Sequence, residues 1–231
     1  MRGGVTILPP ADALETLGRQ RRRVQVAMLD PWYNRGIGGT RDDYEDFLAA
    51  LVRAAARVAD HVFLWGFPEI VAAALPRLPA GLGLIAWLTW YFKNCPSVIR
   101  GWRSAQMACL HLAGPRARLY PEHFLNEAQL ERQRAGKLRY VPGPASVIEV
   151  PLNIGFVGRR EQTGHPAQKP EAVYEALLRM TTEAGDTVID PMCGSGTTGA
   201  ACRTLGLKAI LCDESDKYLA LAEKRLGVTR R

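Results

Sequence analysis

The chain has 231 residues, of which 47% are hydrophobic, and this is enough for one sizeable α/β domain with a smaller inserted element. It contains no apolar run of about 18 residues and no apolar signal core near Met1, so we expect no membrane span and a cytoplasmic location. Five cysteines without a Cys-x-x-Cys pair argue against a disulfide framework and a zinc site, whereas a net charge of +7 favours a polyanionic partner.

Apolar runs of strand length alternate with segments of helical periodicity along the chain. Strands are predicted at residues 24–29, 61–65, 84–92, 105–112, 187–189 and 208–212. Helices are predicted at residues 42–58, 69–75, 171–180 and 217–226, and another begins after residue 196. This alternation predicts an α/β fold with a mostly parallel sheet and helices on both faces.

Two of the predicted strands end in the same dipeptide. The run from Val24 to Leu29 leads into Asp30-Pro31-Trp32-Tyr33, and Thr187-Val188-Ile189 leads into Asp190-Pro191. In an open parallel sheet, ligands bind beyond the carboxyl ends of neighbouring strands where the winding reverses. The two junctions are therefore expected to face one cavity, with the cofactor at one and the substrate at the other.

The second junction continues as a glycine turn that opens a helix. Gly194 and Gly196 lack a Cβ, so they can adopt positive φ and let the backbone approach a ligand closely. Asp213 ends the next predicted strand, 23 residues after Asp190, which is close to the spacing at which a carboxylate receives ribose hydroxyls. Such turns often serve only as tight turns, but the linked Asp213 favours a nucleotide-type cofactor.

Three segments carry a resemblance to a known family. Residues 30–33 are similar to its catalytic Asp/Ser-Pro-Pro-Tyr, residues 190–196 to its cofactor loop, and His165-Pro166-Ala167-Gln168-Lys169-Pro170 to the segment before that loop. On these motifs the chain resembles the S-adenosylmethionine-dependent DNA amino-methyltransferases in the motif order of the β group. The resemblance implies a Rossmann-like methyltransferase fold with permuted motif order, in a single domain of residues 1–231.

The resemblance also implies roles for individual residues. Asp30 and the Pro31 carbonyl would bind the target amino group, and Tyr33 would stack on an extruded base. Trp32 stands where the family has a second proline, and it would either enlarge this platform or, more simply, pack beneath the loop. Because the family's adenine enzymes tend to have Asp or Asn at the first catalytic position and its cytosine enzymes Ser, adenine N6 is preferred to cytosine N4.

On the cofactor side, Asp213 would receive the ribose hydroxyls of S-adenosylmethionine, and Asp190 would orient the loop or meet the cofactor's amino group through water. His165 is interpreted as a loop residue beside the cofactor, and Lys169 as a contact of the cofactor carboxylate or a solvated side chain. No metal is expected. The full predicted cofactor set is His165, Gln168, Lys169, Asp190, Pro191, Met192, Cys193, Gly194, Ser195, Gly196, Thr197 and Asp213, with Met192 replacing the family's usual aromatic.

Residues 115–163 have no clear counterpart in the family and contain eight Lys or Arg against five Glu, a balance of +3. They occupy the place of the β group's target-recognition region, or form a solvated insertion. The loop at residues 93–103 either lies near the extruded base or is a plain surface connection. DNA is the expected partner, a homodimer and a separate restriction chain remain open, and methylation of RNA or protein and a non-catalytic DNA-binding module remain as alternatives.

Overall fold

The computed structural model describes residues 4–35, 39–95 and 101–230. Its strands are β1 Val5–Ile7, β2 Val24–Leu29, β3 Ala59–Gly66, β4 Gly83–Tyr91, β5 Gln106–Ala113, β6 Val147–Glu149, β7 Thr187–Asp190 and β8 Lys208–Leu211. Its α-helices are α1 Ala13–Arg19, α2 Tyr44–Val58, α3 Pro68–Ala74, α4 Glu127–Arg134, α5 Glu171–Thr181, α6 Thr197–Thr204 and α7 Asp216–Leu226. Short 3₁₀ helices occupy Leu75–Arg77 and Pro121–Phe124.

All eight strands belong to one sheet in the order β1-β8-β7-β2-β3-β5-β4-β6. Every neighbouring pair is parallel except the two pairs formed by β5, which runs antiparallel to β3 and to β4. The prediction of a mostly parallel sheet in a Rossmann-like fold is therefore confirmed.

The central strands supply two hydrophobic cores at once, because successive side chains point to opposite faces of a sheet. Val26 and Met28 of β2 pack into the core that also holds buried residues of α5, α6 and α7, such as Leu177. Ala27 and Leu29 pack into the core that holds residues of α1 and α2, such as Leu51. Burial on both faces explains why the parallel strands read as continuous apolar runs.

The winding of the sheet reverses between β2 and β7. From β2 the chain passes through α2 to β3 on one side, and from β7 it passes through α6 to β8 on the other. The two strands are parallel neighbours, with Ala27 opposite Ile189. Asp30 and Asp190 thus lie at adjacent carboxyl ends at the switch point, where the crevice of an open α/β sheet forms.

The structure adds elements that the apolar pattern did not predict. β1 and α1 lie within residues 1–23, and β6 and α4 lie within residues 115–163. β1 and β6 are three residues long, which is too short for an alternating pattern of apolar and polar residues to be recognised. β6 pairs with β4, and Tyr120 donates its backbone N–H to the carbonyl of Met180 on α5, so parts of the 115–163 segment pack against the main fold.

No helix among the described residues is both long and apolar enough to cross a membrane.

Candidate active site

A cavity of about 430 Å³ lies at the carboxyl ends of β2 and β7. Residues of all three sequence motifs line it, and among the predicted site residues only Gly196 lies outside the lining. The lining from these motifs and from the strand end after β8 comprises Asp30, Pro31, Trp32, Tyr33, His165, Pro166, Ala167, Gln168, Lys169, Asp190, Pro191, Met192, Cys193, Gly194, Ser195, Thr197 and Asp213. Segments up to 183 residues apart in the chain, such as Asp30 and Asp213, thus share one cavity.

The Asp30 carboxylate is held through one oxygen only. Its Oδ2 accepts a short hydrogen bond from the ammonium of Lys169 and a bond of 3.3 Å from the hydroxyl of Tyr174. Its Oδ1 is buried and has no hydrogen-bond partner among the described residues. Because buried carboxylate oxygens are normally hydrogen-bonded, the unpaired oxygen indicates an acceptor that is reserved for a ligand.

Lys169 is buried, with a relative exposure of 2%, so the interpretation as a solvated side chain was wrong. Its ammonium lies against Asp30, donates to the Tyr33 hydroxyl at 3.0 Å and stands 5.1 Å from the centre of the Trp65 ring. Burial lowers the pKa of Lys169, but the attraction of Asp30 and Tyr33 outweighs this effect, so the net pKa is raised. Its predicted contact with the cofactor carboxylate stays a prediction.

Trp32 packs beneath the catalytic loop, as the simpler interpretation expected. Its ring lies 5.5 Å from the ring of Tyr44 and 5.1 Å from that of Phe47, both on α2. The hydroxyl of Tyr44 donates to the backbone carbonyl of Trp32. The replacement of proline by tryptophan therefore anchors the loop to α2 while the residue still lines the cavity.

Tyr33 lines the cavity next to Lys169. Its ring lies 4.9 Å from that of Phe67, and burial followed by the nearby Asp30 carboxylate raises the pKa of its hydroxyl. The phenol is therefore neutral at physiological pH, and it accepts a hydrogen bond from Lys169.

Asp190 organises the cofactor loop from inside. Its Oδ1 accepts the Met192 backbone N–H at 3.1 Å, and its Oδ2 accepts the Thr198 hydroxyl. Burial raises the pKa of Asp190 to about 7, although both hydrogen bonds act in the opposite direction. These bonds support the predicted role of orienting the loop.

The two glycines of the loop have the positive φ values that the sequence suggested, 50° for Gly194 and 80° for Gly196. The neighbour that a Cβ would contact differs between the two glycines. A Cβ on Gly194 would lie 3.0 Å from His165 Nε2 at the cavity wall. A Cβ on Gly196 would lie 3.0 Å from Leu226 and 3.1 Å from Ala222, so Gly196 lets the loop pack against α7.

Asp213 holds the glycine turn, whereas its predicted contact with the ribose hydroxyls stays a prediction. It accepts the backbone N–H groups of Gly194 and Ser215, each at 2.9 Å, and each oxygen retains a lone pair for a further donor. His165 also lines the cavity. Its Nδ1 accepts the Ala167 backbone N–H, and its ring centre lies 4.3 Å from that of Tyr218. Burial lowers the pKa of His165, which favours the neutral ring.

This donor and acceptor set fits a nucleoside-type cofactor. A carboxylate for hydroxyl groups, a turn without a Cβ and apolar walls lie in one cavity. Sequence reasoning missed Tyr174 because it stands among core positions of α5, such as Val173 and Leu177, and looked like another core residue. Further lining residues that it missed are Asp12, Ala13, Arg35, Phe47, Thr198, Glu214 and Tyr218.

Comparisons with known proteins agree with this geometry. Residues 120–224 match the model of a family described as DNA methylase. The type II methyltransferase M.HpaI of Haemophilus parainfluenzae is 25% identical over 224 residues, covering 90% of this chain and 69% of that protein. The DNA adenine methyltransferase YhdJ of Escherichia coli K12 is 34% identical over 112 residues, covering 46% of this chain and 38% of the relative.

Solved structures share the fold. The M1.HpyAVI complex with S-adenosylmethionine superimposes with a TM-score of 0.73 at 22% identity, covering 97% of this chain and all of that one. The cytosine-N4-specific PvuII DNA methyltransferase gives a TM-score of 0.71 at 16% identity, covering 97% and 87% of the two chains. The motifs, the cavity and these relatives agree: the chain is similar to S-adenosylmethionine-dependent DNA methyltransferases, in its fold and in the match of residues 120–224 to the DNA methylase family.

Proposed function

We propose that the chain transfers the methyl group of S-adenosylmethionine to N6 of an adenine that is extruded from DNA. The observation that carries the proposal is the unpaired Oδ1 of Asp30, buried in the same cavity as the predicted cofactor loop. An exocyclic amino group is the kind of donor that this oxygen lacks.

The lone pair of an exocyclic amino group is delocalised into the base, so the nitrogen is a poor nucleophile. In the proposed mechanism, Asp30 Oδ1 accepts one N–H and the Pro31 carbonyl accepts the other. These two acceptors favour a tetrahedral nitrogen and stabilise the positive charge that develops on it, which is preorganised electrostatic stabilisation. The proton can leave after the methyl group is transferred, so Asp30 need not be a strong base.

Lys169 and Tyr174 would position Asp30 for this role. Both donate to Oδ2, which fixes the carboxylate plane and leaves Oδ1 toward the ligand. The ammonium also offsets the cost of burying the negative charge, which is high for an unpaired ion. Lys169 and Tyr174 therefore hold the carboxylate without occupying Oδ1, the oxygen that the substrate needs.

The bound cofactor supplies the electrophilic methyl group. Asp213 would hold its ribose hydroxyls, and the turn at Gly194 would admit its methionine part. Transfer requires the methyl group to lie in line with the amino nitrogen, so positioning by the cavity walls contributes much of the acceleration. Extrusion of the base costs a few kcal/mol, and stacking on Tyr33 would offset on the order of 1–3 kcal/mol of this free energy.

Adenine is preferred to cytosine because Asp30 stands where the resemblance associates Asp with adenine enzymes. We further propose that residues 115–163 contribute to target recognition, because this basic segment adjoins the site through Thr163, whose hydroxyl donates to Gln168 at 2.7 Å. A homodimer and a separate restriction chain are compatible with this proposal, and neither is needed by the mechanism.

The test uses cofactor labelled on its methyl group. Duplex DNA, single-stranded DNA, RNA and a protein extract are offered separately, and labelled DNA is digested to nucleosides for mass spectrometry. The expected product is N6-methyladenine in DNA, formed far more slowly with Asp30→Ala. Label only in N4-methylcytosine would overturn the choice of base, and label only in RNA or protein would overturn the substrate class.

A further inference from the structure

A turn at residues 153–158 exposes apolar side chains beside the site. Phe156 is 89% exposed, and its neighbours Ile154 and Val157 are 38% and 39% exposed. Single exposed apolar residues are common, but three large ones at one loop tip form a patch of the kind that marks an interaction site.

Hydrogen bonds hold this tip in one shape. The side chain of Gln162 donates to the carbonyls of Gly155 at 3.2 Å and Val157 at 2.8 Å. Asn153 donates to Glu161 at 3.1 Å, and a Cβ on Gly158 would lie only 1.9 Å from the side-chain oxygen of Asn153. The loop is thus built to display Phe156 and does not bury it.

The loop is tied to the wall of the cavity. Gln168, which lines the cavity, donates to the Glu161 carbonyl at 2.7 Å. At its other end, Leu152 and Asn94 exchange two hydrogen bonds, of 2.7 and 2.9 Å, which join it to the 93–103 loop. That loop carries Trp102, 86% exposed, although its residues 96–100 lie outside the described part of the chain.

The charge at the tip suits a polyanion. Arg159 and Arg160 are exposed, and neither takes part in an ion pair within the described residues. The adjacent Glu161 is turned inward, because its carboxylate accepts the Asn153 amide and the Glu171 backbone N–H. Two exposed arginines therefore follow an exposed aromatic residue in the same loop.

We propose that this loop, residues 152–162, contacts duplex DNA, with Phe156 inserted into the base stack where the target base leaves it and with Arg159 and Arg160 on phosphates. The inference rests on the proposed function and adds the element that stabilises the extruded state. Removing a base from the stack opens an apolar gap, and apolar wedges fill such gaps in other DNA-binding proteins. A rigid aromatic ring loses little conformational entropy on insertion.

The test compares Phe156→Ala with the wild type on two DNA duplexes. One is fully paired, and the other places the target base opposite an abasic site, where extrusion is already inexpensive. We expect kcat/KM to fall roughly 10- to 100-fold on the paired duplex, the fold-change that corresponds to one lost stacking contact, and less than about threefold on the other. Fluorescence of 2-aminopurine at the target position should show reduced extrusion only with the paired duplex.

Matched variants separate this role from a general one. Phe156→Trp should retain the wild-type rate, and so should Leu84→Ala, which removes an apolar side chain on β4 that is 49% exposed and lies outside residues 115–163. The double variant Arg159→Ala, Arg160→Ala should reduce the slope of log affinity against log salt by about 2.

Equal rates for Phe156→Ala and the wild type on paired DNA would overturn the wedge, and so would equal losses on both duplexes. An unchanged salt slope would overturn the phosphate contacts. Failure of the proposed function has a different signature, because then the wild-type protein methylates neither duplex.

Discussion

Replacing Lys169 with methionine is the sharpest test of the site's electrostatics. Methionine preserves much of the apolar stem and removes the ammonium that Asp30 Oδ2 and the Tyr33 hydroxyl accept. The Lys169 side chain is 1% exposed and that of Asp30 is 16% exposed, so water screens the pair poorly. The variant leaves a partly buried carboxylate with Tyr174 as its remaining donor among the described residues.

Breaking a buried ion pair by removing one partner costs about 3–5 kcal/mol. Because Asp30 keeps some exposure and the Tyr174 bond, we take the lower end, about 3 kcal/mol. If this cost appears in the transition state, kcat falls roughly 100-fold at neutral pH.

The assay measures kcat and KM for labelled methyl transfer at neutral pH on a paired duplex, with cofactor affinity determined by calorimetry as a check on folding. Lys208→Met, which removes an exposed lysine on β8, is the control and should match the wild type. A Lys169→Met enzyme with a wild-type kcat and wild-type cofactor affinity would refute the role of the ammonium. Weaker cofactor binding with kcat intact would instead assign Lys169 to the cofactor carboxylate.

Four further substitutions test other parts of the site. Asp30→Ala should lower kcat by about 100- to 1000-fold while calorimetry finds cofactor affinity nearly intact, because the role of Asp30 lies in the transition state; a matching loss of affinity would contradict this. Asp213→Ala should weaken cofactor binding about 10- to 100-fold in the same measurement, because charge-assisted hydrogen bonds are lost, and an unchanged dissociation constant would identify the wrong ribose contact. The pKa of Asp190 is raised from 3.8 to about 7, so the stability that its protonated form contributes is complete below pH 4 and is lost as pH rises through 7. Urea unfolding should show this as a decline of at most roughly 4 kcal/mol that Asp190→Asn reduces, and identical pH dependence in both proteins would contradict it. Gly196→Ala should destabilise the fold by about 1–3 kcal/mol in thermal unfolding, because φ is 80° and the new methyl group meets Leu226, whereas an unchanged melting temperature would show that the loop can shift.

Much of the central fold could be predicted from the chain because buried parallel strands are apolar on both faces and therefore easy to recognise. The predicted strands at residues 24–29, 187–189 and 208–212 correspond to β2, β7 and β8 within a residue. The Asp-Pro junctions indicated the carboxyl ends of β2 and β7. By contrast, β1 and β6 are the edge strands of the sheet and form their hydrogen bonds with β8 and β4, and three residues are too few to show a periodic pattern.

In the cofactor loop, too, the sequence predicted some features and the packing decided others. A positive φ favours glycine whatever surrounds the residue, and the 190–196 motif predicted the two positions where φ is positive. The purpose of each glycine was decided by what packs against it, since Gly196 faces α7 and Gly194 faces His165. Neither neighbour adjoins its glycine in the chain.

The sequence by itself determined which residue types could bind an amino group and a nucleoside, because those properties belong to single side chains and short spacings. Only the tertiary structure decided how they are combined. In the sequence, Lys169 looks like an ordinary surface lysine in a polar segment. It is the buried counterion of Asp30 only because packing of α5 against β2 brings together two residues that are 139 positions apart in the chain. Burial, and with it the strength of that charge pair, is a property of the packed chain and not of any local stretch of it.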